Sequence, residues 1–301
     1  MSEVRRFLQV DVFGERPLLG NPVAVVLDAE GLDDAEMAAV ARWTNLSETT
    51  FVLPPTDEGA DYRVRIFTPG GELPFAGHPT LGTCHAWLQA TGDPRLGVRD
   101  ATVVQQCGIG PVQLRVGASG TLAFAAPEPV MSEFSGELLG GIVAALGVDA
   151  GEVSATRVID NGPDWHVLLL SSSDVVRRLR PDMAALAGLA KVGVVGPHRD
   201  GGDAQFELRA FAPSVGVPED PVTGSLNAGV AQWLIGEGLA PRRYTATQGS
   251  CIGRAGRIEI EAEPSAAGAA PGDTGDVPDT ADTIWVGGAT VTVVDGTITA
   301  I

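Results

Sequence analysis

Short runs in which apolar and polar residues alternate recur along the chain, and most of them are bounded by Gly, Pro, Asp or Asn. A period of two with many β-branched residues is typical of half-buried strands. The pattern therefore predicts many short strands joined by turns. The predicted strands include Phe7–Val12, Ala24–Leu27, Thr50–Leu53, Tyr62–Phe67, Val112–Val116, His166–Leu170, Phe206–Phe211, Arg257–Ala262, Ile284–Val286 and Thr290–Val294.

Two segments of helix-like composition, Thr80–Ala90 and Ser225–Leu234, are apolar on nearly every side. A helix that lacks a polar face must be covered all round, and strands are the material available to cover it. We therefore expect an α+β fold with two pseudo-symmetric domains, each a sheet wrapped around a central helix. Three further helices are predicted over Ala35–Trp43, Gly136–Leu146 and Pro181–Leu189.

The chain repeats one pattern in its two halves. Arg65-Ile-Phe-Thr-Pro69 is followed by His78-Pro79-Thr80-Leu81-Gly82, and Arg209-Ala-Phe-Ala-Pro213 is followed by Asp220-Pro221-Val222-Thr223-Gly224. The repeat unit is too long for a solenoid. It predicts two similar domains that face each other across a cleft, with His78 and Asp220 at matching helix starts.

The repeat also sets the expected domain boundaries. It places the first domain over residues 1–117 and the second over 118–263. Residues 264–283 are acidic and rich in Gly, Ala and Pro, so they are expected to form a flexible loop. The strands within 284–301 must dock somewhere beyond that loop, and the pattern allows their return to either domain.

Composition and net charge limit the classes of partner that the protein can bind. The 301 residues are 44% hydrophobic and 19% charged, which is ordinary for a globular protein, and the net charge of −18 argues against nucleic acid or anionic membrane as a partner. The N-terminus lacks the apolar region of a signal peptide, and no stretch is long and apolar enough to span a membrane. With three cysteines and no C-x-x-C pair, a cytoplasmic location is expected.

The two predicted helix starts are candidate anion sites. Small residues beside His78 and Asp220 leave backbone N–H groups free at the positive end of each helix, which can bind a carboxylate or phosphate. The alternative is simple capping, with Thr80 and Asp220 as N-caps. Because the pattern is repeated while its polar residue changes from His to Asp, a small anionic substrate is the favoured interpretation.

Glu48 is a candidate general acid or base. It lies among Leu46, Phe51, Val52 and Leu53, and an apolar setting raises a carboxyl pKa toward neutrality. The alternative is a carboxylate on a surface loop.

No cofactor or metal is expected. The sequence has no nucleotide-binding glycine motif and no His/Cys/Asp cluster at metal-ligand spacing. Cys84, Cys107 and Cys251 are interpreted as small buried residues, and His198 as part of an exposed loop.

Five motifs, in order, resemble the phenazine-biosynthesis isomerase family, which is called PhzF-like. They are Gly20-Asn21-Pro22-Val23-Ala24-Val25, Asn45-Leu46-Ser47-Glu48-Thr49, the run Phe75-Ala76-Gly77-His78-Pro79 to Thr83, Glu219-Asp220-Pro221-Val222-Thr223-Gly224-Ser225, and Gln248-Gly249 with Gly253-Arg254. The resemblance implies a diaminopimelate epimerase-like fold, a homodimer, and cofactor-independent proton transfer in secondary metabolism. It assigns catalysis to Glu48, His78 and Asp220, and substrate binding to Ser47, Gly77, Gly224 and Ser225.

The type member of that family isomerises trans-2,3-dihydro-3-hydroxyanthranilate, but this chain departs from the family pattern at Trp165, in the run Cys84-His85-Ala86-Trp87, and in Ala255-Gly256 after Arg254. The particular substrate is therefore not carried over. Two alternatives stay open: an epimerase or racemase that uses Glu48 and a second acid, and a non-catalytic ligand-binding protein. The paired thiols of the epimerase branch, near Ala76 and Asp220, are absent here.

Overall fold

A computed structural model describes residues 3–199, 201–264 and 282–300. These residues form one mixed sheet and six α-helices. The strands are β1 (Glu3–Val12), β2 (Asn21–Val26), β3 (Thr49–Leu53), β4 (Tyr62–Thr68), β5 (Gly71–Leu73), β6 (Ala101–Cys107), β7 (Gly110–Val116), β8 (Leu122–Ala125), β9 (Val130–Ser132), β10 (Val153–Asp160), β11 (Asp164–Leu170), β12 (Val192–Pro197), β13 (Phe206–Ala212), β14 (Val217–Asp220), β15 (Arg243–Gln248), β16 (Gly256–Glu263), β17 (Thr283–Gly288) and β18 (Thr290–Ala300). The helices are α1 (Asp34–Thr44), α2 (Gly77–Thr91), α3 (Gly136–Leu146), α4 (Ser173–Arg178), α5 (Met183–Ala187) and α6 (Gly224–Gly236).

The strand pairing reads the same from both ends of the sheet. From one end it runs β18, β1, β2, β3, β4, β6, β7, β8, and from the other β9, β10, β11, β12, β13, β15, β16, β17, with β8 and β17 paired at the centre. In each half the same two pairs are parallel, β2–β3 and β4–β6 in one, β11–β12 and β13–β15 in the other. The described strands thus follow a pseudo-twofold arrangement.

This arrangement assigns the C-terminal strands. β17 completes the second half and pairs with β16, whereas β18 returns to the first half and pairs with β1. By the same order β8 belongs with the first half, where it pairs with β7. The boundary expected after residue 117 lies in the turn before β8, so it assigns β8 to the other half. Most of the predicted loop over 264–283 lies outside the described residues.

The two central helices are enclosed as the apolar patterns predicted. α2 contacts β1, β2, β3 and β8, and α6 contacts β10, β16 and β17. Nearly all residues in the first two turns of α2 are buried, and so are most residues of α6. The α+β class and the predicted helices and strands are confirmed, with α2 starting three residues earlier than the pattern indicated. None of the helices in the described part of the chain is long and apolar enough to cross a membrane.

The repeated Arg-x-Phe motif makes the same contacts in each half. The Arg65 guanidinium donates to both carboxylate oxygens of Glu72 and stacks on Phe67, and the Arg209 guanidinium does the same with Glu219 and Phe211. The pairs differ in burial: the Arg209 and Glu219 side chains are 6% and 7% exposed, against 24% and 43% for Arg65 and Glu72. The second pair therefore lies out of water beside the segment that leads into α6.

Candidate active site

The two central helices meet at their N-termini. Gly77 and Gly224 are the first residues of α2 and α6, and a Cβ atom placed on Gly224 would lie only 3.2 Å from the Cα atom of Gly77. A Cβ on Gly77 would lie 2.8 Å from the Phe124 ring. Both distances are shorter than ordinary contacts of a Cβ atom, so a larger residue at either position would force a neighbour to shift. The positive ends of both helices therefore converge on one point between the two halves.

Neither helix start is capped by a side chain. The N-cap residues are Ala76 and Thr223, and neither makes a side-chain capping hydrogen bond. The capping alternative, with Thr80 and Asp220 as N-caps, is therefore wrong. The N-terminal amides of the two helices are left available to an anion.

The expected equivalence of His78 and Asp220 is also wrong. His78 is the second residue of α2, and its counterpart in α6 is Ser225. Asp220 is instead the last residue of β14, ahead of the helix. Pro79 lies inside the first turn of α2, whereas Pro221 precedes α6. Proline is tolerated in both places, so its presence does not mark the first residue of a helix. Matching the two prolines in sequence thus misaligned the two helix starts.

His78 and Asp220 are nevertheless brought together, through Asn21. The fully buried Asn21 side chain donates from Nδ2 to the Val222 carbonyl at 2.8 Å and to Asp220 Oδ1 at 3.1 Å. The same atom lies 3.4 Å from His78 Nδ1. Thr223 Oγ1 donates to the other oxygen of Asp220 at 2.5 Å. Asn21 therefore ties a side chain of the first half to two groups of the second.

Glu48 faces His78. It directly precedes β3, its side chain is 16% exposed, and its Oε2 atom lies 3.3 Å from His78 Nε2. Both atoms are buried and neither has a hydrogen-bond partner among the described residues. Unpartnered buried polar atoms are rare in folded proteins and call for an explanation such as a catalytic role.

Burial sets the charge of this pair. Desolvation raises the pKa of Glu48 to about 7, against a lowering by the hydrogen bond from the Ser47 side chain. Desolvation lowers the pKa of His78 to about 4, although the Asp220 charge and the Pro22 carbonyl oppose it. Near neutral pH His78 is therefore uncharged, so its contact with Glu48 is not an ion pair, and Glu48 is divided between acid and carboxylate. Desolvation also raises the pKa of Asp220.

The remaining predicted residues border the same point. Ser47 lies beside Glu48 and bonds its carboxyl. Ser225 is held on two sides, since its carbonyl accepts a hydrogen bond from Asn161 Nδ2 at 2.8 Å and its Oγ accepts one from Trp165 Nε1 at 3.0 Å. Sequence reasoning assigned no role in the site to Asn21, Asn161 or Trp165, although the runs Asn21-Pro22 and Asn161-Gly162-Pro163 resemble each other.

Comparison with known proteins identifies the family. A family model described as phenazine biosynthesis-like protein, PhzC-PhzF, matches residues 10–296. The chain belongs to this family. The chain is 36% identical over 272 residues to antisense-enhancing sequence 1 of Schizosaccharomyces pombe, covering 86% of this chain and 90% of that one. It is 35% identical over 262 residues to the trans-2,3-dihydro-3-hydroxyanthranilate isomerase of Pseudomonas aeruginosa, covering 86% and 91%.

Among solved structures, the phenazine biosynthesis protein of the PhzF family from Bacillus anthracis superposes with a TM-score of 0.81 at 23% identity, covering 98% of this chain and 99% of that one. This likeness supports the shared fold. Several of the relatives are named isomerases. The chain is accordingly an isomerase of the PhzF-like family.

Within this PhzF-like fold, strand register shows that the site is asymmetric. Thr49 of β3 pairs with Phe67, and Val192 of β12 pairs with Phe211, so the residues just before them, Glu48 and Lys191, are equivalent. Their carbonyls accept matching hydrogen bonds, from Ala24 and His166. Lys191 is engaged elsewhere, with its Nζ atom 3.0 Å from Asp164. The second half therefore has no carboxylate where the first half has Glu48.

Two predictions about residues outside the site are wrong. Cys251 is exposed, because it lies in a short 3₁₀ turn over Ser250–Ile252 rather than in a strand. His198 is not exposed: its side chain is 7% exposed, and its Nε2 atom lies 3.0 Å from Thr247 Oγ1. Cys84 and Cys107 are buried, as expected. These residues take no part in the site around Glu48.

Proposed function

We propose that the protein moves a proton within a small unsaturated carboxylic acid and that Glu48 is its one general acid and base. The observation that carries the proposal is the 3.3 Å contact between Glu48 Oε2 and His78 Nε2, beside the two converging helix starts. Both atoms are buried, and neither has a hydrogen-bond partner among the described residues. A buried carboxyl with a pKa of about 7 can both accept and return a proton at neutral pH.

The proposed reaction has two steps. The Glu48 carboxylate takes a proton from a carbon next to the unsaturated system, and the C–H electron pair passes into the conjugated acid. Glu48, now protonated, returns the same proton to another carbon of that system. The helix-start amides near Gly77 and Gly224 stabilise the negative charge that develops between the steps. Neutral His78 and the hydrogen-bonded Asp220 bind polar groups of the substrate. The balance of protons requires no cofactor.

The position of Lys191 favours isomerisation over epimerisation. Inversion at one carbon by two bases needs an acid or base on each face of the substrate, and one place for a second base is the position equivalent to that of Glu48. Here that position holds an ion-paired Lys191. Asp220 is already engaged, because Asn21 and Thr223 donate hydrogen bonds to its two carboxylate oxygens.

The test is the Glu48→Gln variant, with trans-2,3-dihydro-3-hydroxyanthranilate as the first substrate because a relative is named for it. We expect turnover to fall by at least about 10²-fold while the variant stays folded. Glu58→Gln, a change of the same kind at an exposed position, should keep full activity. Full turnover by Glu48→Gln would refute the role of Glu48. In deuterated water, inversion at one carbon without movement of the double bond would instead establish an epimerase.

A cytoplasmic homodimer remains our expectation for the working protein. Binding of small aromatic acids without any turnover by the wild type would favour a ligand-binding role in place of catalysis.

A further inference from the structure

Trp165 holds one of the residues proposed to bind substrate. Its indole ring is buried, with 5% exposure, at the start of β11, and its Nε1 atom lies 3.0 Å from Ser225 Oγ. Ala24 of β2 and His166 of β11 are equivalent, since their N–H groups donate to the carbonyls of Glu48 and Lys191. The residue of the first half that is equivalent to Trp165 is therefore Val23. The indole contact thus has no counterpart on the α2 side.

The chemistry of this contact fixes the direction of the Ser225 hydroxyl. An indole N–H can only donate, so Ser225 Oγ must accept from Trp165. A serine hydroxyl has a single proton, and that proton remains available for another acceptor. Within the described residues Ser225 Oγ has no other hydrogen-bond partner. Because Ser225 is the second residue of α6, the residue four positions earlier lies outside the helix, and the usual donation to a carbonyl of the preceding turn is lost.

We propose that Trp165 is a positioning residue that makes Ser225 a fixed hydrogen-bond donor to the carboxylate of the substrate. This inference rests on the proposed function and adds the orientation of the substrate in the site. The carboxylate lies at the start of α6, where the hydroxyl proton of Ser225 and the helix amides converge on an acceptor. The reacting carbon lies on the α2 side, where the equivalent position is His78 and Glu48 is within reach. The site therefore selects an acid over the corresponding amide or amine.

The experiment is a double-mutant cycle with Trp165→Phe and Ser225→Ala, read by calorimetry with 3-hydroxyanthranilate and its amide as probes. The wild type should bind the acid more tightly than the amide. Ser225→Ala should weaken binding of the acid at least about tenfold, as for a hydrogen bond to a charged group. Trp165→Phe keeps an aromatic side chain but removes the indole N–H, so the hydroxyl can rotate among three staggered positions, and the variant should bind the acid about threefold or more weakly.

The signature of positioning is that Trp165→Phe has no further effect in the Ser225→Ala background. Trp233→Phe is the matched control, because Trp233 is buried in α6, the helix that contains Ser225, and its Nε1 atom has no hydrogen-bond partner among the described residues. This variant should leave the preference for the acid unchanged. Three outcomes would overturn the proposal: an acid that binds the wild type no tighter than its amide, unchanged acid binding in Trp165→Phe, or a Trp165 effect that persists in full without Ser225.

This result is separable from the proposed function. Turnover by Glu48→Gln would remove the assigned base but leave the binding cycle unchanged. If neither Trp165→Phe nor Ser225→Ala changed binding of the acid while Glu48→Gln was inactive, the role of Trp165 would be refuted and the role of Glu48 as the base would stand.

Discussion

The charge of Glu48 should be measurable in the stability of the folded protein, without any substrate. The burial that raises the pKa of Glu48 in the folded state is absent after unfolding. Below about pH 4.5 the carboxyl is protonated in both states. As the pH rises toward 7, the unfolded chain releases the proton while the folded protein keeps it, so stability falls with pH over this window.

The magnitude follows from the two pKa values. A change from 4.5 to about 7 corresponds to about 3 kcal/mol. Glu48→Gln removes the ionisation and keeps the shape of the side chain. The variant should therefore gain stability relative to the wild type as the pH rises, by about 3 kcal/mol between pH 4.5 and pH 8. The lowered pKa of His78 changes stability in the opposite direction, but it is present in both proteins and is removed by taking their difference.

The assay is urea unfolding of wild type and Glu48→Gln at several pH values, with the free energy of unfolding taken from each transition. The Glu58→Gln variant, which makes the same substitution at an exposed position, provides the control. If the difference between the wild type and Glu48→Gln varied by less than about 0.5 kcal/mol across this range, burial could not be what sets the charge of Glu48.

Two further predictions concern stability. Gly224→Ala should cost about 1–3 kcal/mol, because its Cβ would press on Gly77, whereas Gly236→Ala in the same helix meets open space and should gain up to about 1 kcal/mol; equal effects in thermal unfolding would argue against close contact of the helix starts. Arg209→Ala leaves the buried Glu219 carboxylate unpaired and should cost about 3–5 kcal/mol. Its counterpart Arg65→Ala, at a more exposed pair, should cost about 1 kcal/mol or less in chemical denaturation.

The sequence predicted what depends on local periodicity. The strands and both enclosed helices followed from the spacing of apolar residues, and the setting of Glu48 followed from its apolar neighbours. The site contacts could not be found this way, because Asn21 and Asp220 are 199 residues apart and Trp165 and Ser225 are 60 residues apart, and each pair meets only in the folded chain. A short polar side chain far away in sequence carries no periodic signal. The repeat indicated the cleft, yet it could not show where each helix starts.

The pseudo-symmetry explains both the site and its limit. Duplication brings two helix starts together and so supplies converging positive ends, which is a means of binding an acid from two sides. It does not supply two bases, because the position of Glu48 is taken in the other half by Lys191, whose charge is already neutralised by Asp164. A base on one side can reach one face of a bound substrate. Under the proposed role of Glu48, a proton removed from that face returns to it, which would move a double bond in a conjugated acid without inverting the configuration of a single carbon.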